Sequence, residues 1–234
     1  PHGMAPIADL LELHGPGRDR VWVVASNGAV VFRYPPLEVV HEETFDARPA
    51  VEAILERHPE ALVAVEERGV GYRVNSHFPD GELSGDMILT EVEDLLAAEV
   101  SRVIIRDPNS TADEFVALAE DLGLHGTNYV VGWTAWLDLA PVGVSKASGL
   151  QHVAEQLGLT GDDALAVGDG RNDLEMFAWA RRSVAMGQAI EQVIAAADDV
   201  TASVYDDGLA TELDRWFRDG RSTPSSAPGF GPSA

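Results

Sequence analysis

Two carboxylates four residues apart, Asp169 and Asp173, follow a short apolar run ending at Val167 in the stretch DDALAVGDGRNDLEMF. Carboxylate oxygens are ligands that Mg²⁺ accepts in proteins, and Gly170 allows the backbone between them to turn tightly. The pattern therefore predicts a metal site at Asp169 and Asp173. A conformational interpretation is the alternative for part of this segment: Asn172 would cap the following helix, and Asp173 would lie favourably near the helix dipole.

Lys146 is the second candidate for chemistry, because it lies in the first turn of a predicted helix that Ser145 would cap. A lysine at this end of a helix opposes the helix dipole, so helix stability does not explain it. Together with the carboxylate of Asp169 and free helix N-termini, its amine would hold a phosphate group. The alternative is an ordinary exposed lysine.

The elements that must position these residues alternate between helices and strands. After Pro141 the pattern predicts a helix, a strand at Ala164–Val167, a second helix, and a short strand at Val184–Met186. Such alternation is typical of a parallel sheet in an α/β fold. Because ligands of such sheets gather at the carboxyl ends of the strands, Asp169 is expected at the binding edge.

The chain before Pro141 has two parts. Residues 4–11 have apolar side chains at helical spacing, and Val21–Ala25 and Ala29–Tyr34 are predicted strands. Ser26–Gly28 is predicted to form a hairpin-type turn between these strands, because its Ser-Asn-Gly sequence suits a turn. From about residue 37 to residue 140, helices and strands alternate as in a separate α/β module.

Composition restricts the partners and the class of protein. The 234 residues include 16 Lys and Arg against 39 Asp and Glu, which gives a formal net charge of −23. Such a surface repels nucleic acids and anionic membranes, so neither is expected as a partner. The sequence has no cysteine, which excludes disulfides, thiolate catalysis and Cys-based zinc sites and suits a cytoplasmic location. No apolar run approaches the roughly 18 residues of a membrane helix.

Four stretches of the sequence resemble, in the same order, the C-terminal half of Cof-like phosphatases of the haloacid dehalogenase superfamily. They are PVGVSKASGL, ALAVGDGRNDLEMF, SVAMGQAIEQVIAAADDVT and YDDGLATEL. The stretch VASNGAVVF resembles the Asn-Gly-Ala turn of the same family, and the module at 37–140 resembles its type C2B cap. The resemblance implies an α/β fold with a Rossmann-like core. That core would be formed by residues 1–36 and 141–217, with the cap inserted at 37–140. Residues 218–234 are rich in Gly, Pro and Ser, which predicts a disordered tail.

The resemblance also implies an activity, that of an Mg²⁺-dependent phosphomonoesterase acting on a small phosphorylated metabolite, such as a sugar phosphate, through an aspartyl-phosphate. Lys146 matches the residue that pairs with the phosphate and the nucleophile, and Asp169 matches the Mg²⁺ ligand. Asn172 and Asp173 match residues that support the phosphate and the metal shell. The catalytic candidates are therefore Lys146, Asp169 and Asp173, the metal ligands Asp169 and Asp173, and the substrate-binding candidates Asn27, Gly28, Lys146 and Asn172.

The cap would select the substrate, and there the sequence leaves the choice open. Sugar, glycerol and nucleotide phosphates, glycosyl phosphoglycerates and sucrose phosphate all remain possible substrates, and the oligomeric state is open as well. Side chains in the cap that could face the site are Tyr72, Asn75, His77, Trp133 and Trp136. Aromatic and His side chains at strand spacing are more often part of a core or a surface than ligands.

The sequence departs from the family in one respect. It contains neither the Asp-x-Asp-Gly-Thr motif, which carries the nucleophile and the general acid and base, nor the Thr-Gly-Arg that ends the next strand. We therefore expect an N-terminally truncated phosphatase that lacks about 35–45 residues by typical element lengths. Alone it would be inactive, because it cannot form the aspartyl-phosphate. The alternative is a non-catalytic relative or fragment that only binds metal or phosphate.

Overall fold

The computed structural model describes residues 20–111, 114, 117–118, 121, 127–131 and 136–217. The chain divides into two compact units, the first ending at Gly149 and the second beginning at Leu150. Several predictions lie outside the described residues: the helix at residues 4–11, Trp133 and the tail at 218–234. In the described part of the chain, no helix has both the length and the apolar composition of a membrane span.

The first described element of the first unit is a three-stranded antiparallel sheet made of β1 (Val21–Ala25), β2 (Val30–Tyr34) and β3 (Glu38–Glu42). Its strands are rich in β-branched residues, which favour extended structure. A short 3₁₀ segment, Ser26–Gly28, joins β1 to β2 as the predicted turn. Strand β3 follows the predicted domain boundary at residue 36 and pairs with β2, and the boundary itself stays a prediction.

The rest of the first unit is the α/β module. Its described elements are α1 (Arg48–Arg57), β4 (Leu62–Glu67), β5 (Gly71–Val74), β6 (Asp86–Leu89), α2 (Val92–Leu95), β7 (Val103–Arg106), β8 (Thr127–Val131) and β9 (Trp136–Pro141). The strands form a six-stranded sheet in the order β6-β5-β4-β7-β9-β8, and all neighbours are antiparallel except β5 and β6. Buried residues of one sheet face pack against α1, where Val51 and Ile54 are fully buried.

The second unit contains a three-stranded parallel sheet in the order β10 (Leu165–Gly168), β11 (Arg182–Ala185), β12 (Asp199–Val200). Its described helices are α4 (Leu174–Trp179), α5 (Glu191–Ala196) and α6 (Gly208–Phe217). Helix α3 (Lys146–Leu157) includes the boundary between the units. The parallel sheet predicted from the alternation of helices and strands is therefore confirmed.

Among the described residues, β1 and β10 belong to different sheets. The grouping of residues 1–36 and 141–217 into a single core domain thus has no support from strand pairing, and it stays a prediction. Within the second unit, the carboxyl ends of all three parallel strands lead into loops that carry polar side chains. This is the edge at which parallel sheets bind their ligands.

Candidate functional site

The predicted metal segment forms a tight turn at the carboxyl end of β10. Gly168 ends the strand, Arg171–Asp173 forms a 3₁₀ segment, and α4 begins at the next residue. The Oδ2 atom of Asp173 accepts hydrogen bonds from the backbone N–H groups of Asp169 and Gly170, both across 2.9 Å. A Cβ on Gly168 would lie 2.5 Å from the same oxygen, so the carboxylate occupies space that only glycine leaves open.

Asp173 therefore has a role that the sequence did not reveal. Only 3% of the residue is exposed, and its carboxylate closes the turn that presents Asp169. Asn172 is not the cap of α4, contrary to the conformational alternative, because it lies inside the 3₁₀ segment. Asp173 occupies the capping position instead, and its side chain makes no cap hydrogen bond to α4. A role for Asp173 as a direct metal ligand stays a prediction.

Asp169 lies exposed at the strand end, and Gln188 contacts its carboxylate. The Nε2 atom of Gln188 donates to Oδ2 of Asp169 across 2.8 Å, and its Oε1 accepts from the backbone N–H of Val204 across 2.9 Å. Gln188 follows β11 and Val204 follows β12. Sequence analysis missed Gln188, although its place after a parallel strand was a signal that could have found it.

In the first unit, the turn after β1 lies against the start of α3. Asn27 has φ +53° and Gly28 has φ +109°, both in the left-handed region. A Cβ on Gly28 would lie 1.9 Å from the carbonyl oxygen of Ser145 and 3.2 Å from the backbone nitrogen of Lys146. The structure thus brings together three of the predicted site residues: Asn27, Gly28 and Lys146.

The cap of α3 is as predicted. The backbone N–H of Ser148 donates to Oγ of Ser145 across 3.3 Å, and the N–H of Ser145 donates to Oγ of Ser148 across 2.9 Å. This reciprocal pair fixes the first turn of a helix in which Lys146 is the first residue. Lys146 is also the only lysine in the 234-residue sequence.

A cavity of 310 Å³ lies beside the turn in the first unit. At its lining, Oγ of Ser26 donates to Oε2 of Glu66 across 2.7 Å, which links the turn to strand β4. Tyr72 lines the same cavity, and burial raises the pKa of its hydroxyl. Sequence analysis missed Ser26 and Glu66 as a pair, because 40 residues separate them.

Two of the other cap candidates have structural roles. The side-chain amide of Asn75 accepts a hydrogen bond from the N–H of Val63 and donates one to the carbonyl of Ala61, so both ends of the amide bind the backbone. Trp136 donates to Asp138 across 3.3 Å and packs edge-on against Phe78. His77 is exposed. Of the described cap candidates, Tyr72 alone lines the cavity.

The predicted site residues form two groups: Asn27, Gly28 and Lys146 in the first unit, and Asp169, Asn172 and Asp173 in the second. Within the ranges the structure describes, there is no cluster of three or more His, Asp or Glu side chains suited to a metal. Mg²⁺ does not require such a cluster, because it is commonly bound by one or two carboxylates together with water and substrate phosphate. The carboxylates of Asp169 and Asp173 fit that donor set.

Comparison with known proteins adds the family context. Residues 2–213 match the family of haloacid dehalogenase-like hydrolases. The phosphoglycolate phosphatase of Natronomonas pharaonis is 32% identical over 201 residues, covering 85% of this chain and 74% of that protein. Stress response protein YhaX of Bacillus subtilis is 43% identical over 82 residues, and the chloroplastic endoribonuclease YBEY of Arabidopsis thaliana is 31% identical over 132 residues. These matches cover 35% and 55% of this chain but only 28% and 22% of the respective relatives.

Solved structures share the fold. A subclass IIB sugar phosphatase of the same superfamily superposes with a TM-score of 0.73 at 22% identity, over 90% of this chain and 80% of the other. A haloacid dehalogenase-like hydrolase from Bacteroides thetaiotaomicron superposes with a TM-score of 0.69 at 25% identity, over 92% and 83% of the two chains. The predicted fold class, α/β with a Rossmann-like core and a cap domain, is confirmed.

Proposed function

Because the chain belongs to the family of haloacid dehalogenase-like hydrolases, we propose that it carries the metal and phosphate sites of an Mg²⁺-dependent phosphomonoesterase. The family match also confirms the superfamily assignment made from sequence. The observation that carries the proposal is the Gly168–Asp173 turn, in which Asp173 holds the backbone so that Asp169 is presented at the carboxyl edge of a parallel sheet. Such edges bind phosphorylated ligands in many α/β proteins.

Each candidate residue has a distinct task in this proposal. Asp169, with Asp173 behind it, would hold Mg²⁺, which when bound neutralises and orients a phosphoryl group. The amine of Lys146 would bind phosphate oxygens at the N-terminus of α3, where the helix dipole also favours an anion. The Asn27–Gly28 turn in the first unit and the side-chain amide of Asn172 in the second would each donate hydrogen bonds to phosphate oxygens.

Hydrolysis requires a nucleophile. In the proposed reaction an aspartate oxygen bonds to phosphorus as the ester P–O bond breaks. The leaving oxygen takes a proton from the second Asp of the Asp-x-Asp-Gly-Thr motif and departs as the alcohol. Water then cleaves the aspartyl-phosphate and releases inorganic phosphate. The 234-residue sequence contains no Asp-x-Asp-Gly-Thr motif, so turnover is proposed for the protein as its gene encodes it.

Reading the gene upstream of the Pro1 codon tests this step. An in-frame Asp-x-Asp-Gly-Thr followed by Thr-Gly-Arg would supply the nucleophile. A start codon at or near Pro1 would favour the second candidate function, a family member that binds metal or phosphate without hydrolysing an ester. The missing motif is the observation that favours this second candidate.

The proposed substrate is a small phosphorylated metabolite, with sugar phosphates as the first class to test. A second class, 2-phosphoglycolate, is favoured by the name of the N. pharaonis relative. The net charge of −23 disfavours long polyanions such as nucleic acids. Phosphate release by the gene-encoded protein from glucose 6-phosphate, glycerol 3-phosphate, 2-phosphoglycolate and a mononucleotide would separate the classes. Release from none of them, with Mg²⁺ present, would contradict the proposed function.

A further inference from the structure

Gln188 connects the carboxyl ends of all three parallel strands of the second unit. Its side-chain amide contacts Asp169, which follows β10, and the backbone of Val204, which follows β12, while Gln188 itself follows β11. None of these contacts is local in sequence, since 19 residues separate Gln188 from Asp169 and 16 separate it from Val204. A single side chain thus fixes three loops at the edge where Asp169 lies.

The contact with Val204 determines which end of the amide faces Asp169. A backbone N–H can only donate, so it requires the oxygen of Gln188, and the donating NH₂ group must then face the carboxylate. A rotated amide would place its oxygen against the carboxylate of Asp169 and leave the N–H of Val204 opposite a second donor. The backbone of Val204 therefore selects the orientation of Gln188.

We propose that Gln188 is a positioning residue for Asp169: it holds the Oδ2 atom, so that Oδ1 is directed to the cation. This inference rests on the proposed function, in which Asp169 binds Mg²⁺. An exposed aspartate has rotamer freedom that is lost on binding a metal, and a partner that fixes it beforehand reduces that loss. Hydrogen-bond partners of metal-ligating carboxylates commonly have this effect.

The test is calorimetric titration of the gene-encoded protein with Mg²⁺ alone. Gln188→Met keeps a side chain of similar length but removes both hydrogen bonds. We expect it to bind Mg²⁺ about 10–100-fold more weakly than the wild type, the usual effect of losing such a partner. Gln156→Met makes the same substitution at an exposed position on α3 and should leave the affinity unchanged.

A second variant removes only the anchor of Gln188. Val204 is the first residue of the 3₁₀ segment Val204–Asp206, and Ser203 before it is extended with ψ 168°. Proline is tolerated at such a position, so Val204→Pro deletes the donating N–H without touching Gln188 or Asp169. We expect weaker Mg²⁺ binding than in the wild type, with a smaller loss than in Gln188→Met.

Unchanged Mg²⁺ affinity in folded Gln188→Met would overturn the proposal. If that variant fails to fold, unchanged affinity in Val204→Pro would overturn it equally. The variant Asp169→Asn distinguishes a wrong positioning role for Gln188 from a wrong proposed function. Binding that is lost in Asp169→Asn but kept in Gln188→Met refutes only the positioning role, whereas a wild-type protein that binds no Mg²⁺ refutes both.

Discussion

The carboxylate of Asp173 accepts a hydrogen bond from the backbone N–H of Asp169 across 2.9 Å, so one acidic residue of the pair holds the backbone of the other. The two side chains have different surroundings, because Asp173 is buried and Asp169 is exposed. Their four-residue spacing has a structural purpose as well as a chemical one. Asp173 stabilises the turn, and Asp169 is available to a ligand.

Replacing Asp173 should therefore lower stability as well as activity. Asp173→Ala leaves two partly buried N–H groups without their acceptor, and we expect the free energy of unfolding to fall by roughly 0.5–1.5 kcal/mol for each hydrogen bond lost. Asp173→Asn keeps an oxygen acceptor, so its free energy of unfolding should fall by less. Urea unfolding measures the free energy of unfolding of both variants, and Asp162→Ala, at an exposed position of the same unit, is the control. An Asp173→Ala protein as stable as the wild type would refute the role in the turn.

Gly28 should not tolerate a side chain, because a Cβ there would lie 1.9 Å from the carbonyl oxygen of Ser145. Gly143 is a matched control: it also has positive φ, +78°, but a Cβ there would meet nothing within 4 Å. Gly143→Ala should cost only the conformational strain, about 1–2 kcal/mol. Gly28→Ala should destabilise the protein by more and disturb the start of α3. Equal unfolding midpoints for the two variants would contradict the close packing of the turn.

Lys146 can be observed selectively, because it is the only lysine in the chain. Reductive methylation with ¹³C-formaldehyde labels its amine together with the chain terminus, and Lys146→Arg identifies the signal by its loss. If the amine binds phosphate at the N-terminus of α3, inorganic phosphate should shift this NMR signal at constant pH. Sulfate and chloride at matched ionic strength are the controls. A signal that responds no more to phosphate than to chloride would remove Lys146 from the site.

The first unit should lose stability in acid through Asp107. Burial alone would raise the pKa of this carboxyl, but hydrogen bonds from Ser110, the N–H of Asn109 and His58 outweigh burial and hold the pKa below its ordinary value. A lowered pKa in the folded state stabilises the fold above the unfolded-state pKa, and this stabilisation is lost as the pH falls through the folded-state value.

The stability difference between wild type and Asp107→Asn should accordingly narrow as the pH falls from about 5 to about 2. Urea unfolding at several pH values measures this difference. Asp80→Asn, at an exposed position of the same unit, is the control and should show no such narrowing. A difference that is constant or grows in acid would contradict the role of Asp107.

Sequence reasoning found features whose cause is local. The strand, the Gly-Asp-Gly turn and Asp169 follow one another along the chain, and the parallel sheet follows from alternating periodicities. Sequence reasoning did not find features that depend on pairing between segments distant in the chain. The membership of Glu38–Glu42 in the first sheet and the contact of Gln188 with Asp169 require partners that the local pattern does not specify.

The site residues show the same difference between features with a local cause and features that depend on the folded chain. Motif spacing was enough to select Lys146 and Asp169 as candidates, because their residue types are unusual for a helix start and a strand end. Spacing could not distinguish the tasks of Asp169 and Asp173, since only the folded turn determines which carboxylate is buried. It also could not identify the link between Ser26 and Glu66, which joins the turn to another sheet.

The most direct test of the proposed metal and phosphate sites is the Mg²⁺-dependent release of inorganic phosphate by the gene-encoded protein. The measurement compares the wild type with Asp169→Asn and Asp162→Asn. We expect wild-type turnover that disappears when Mg²⁺ is removed, and a loss of about 10²–10³-fold in Asp169→Asn, the range typical for removing one transition-state stabilising group. Asp162→Asn, at an exposed position of the same unit, should retain wild-type turnover. Turnover in Asp169→Asn equal to that of the wild type, or turnover independent of Mg²⁺, would contradict the assignment of Asp169.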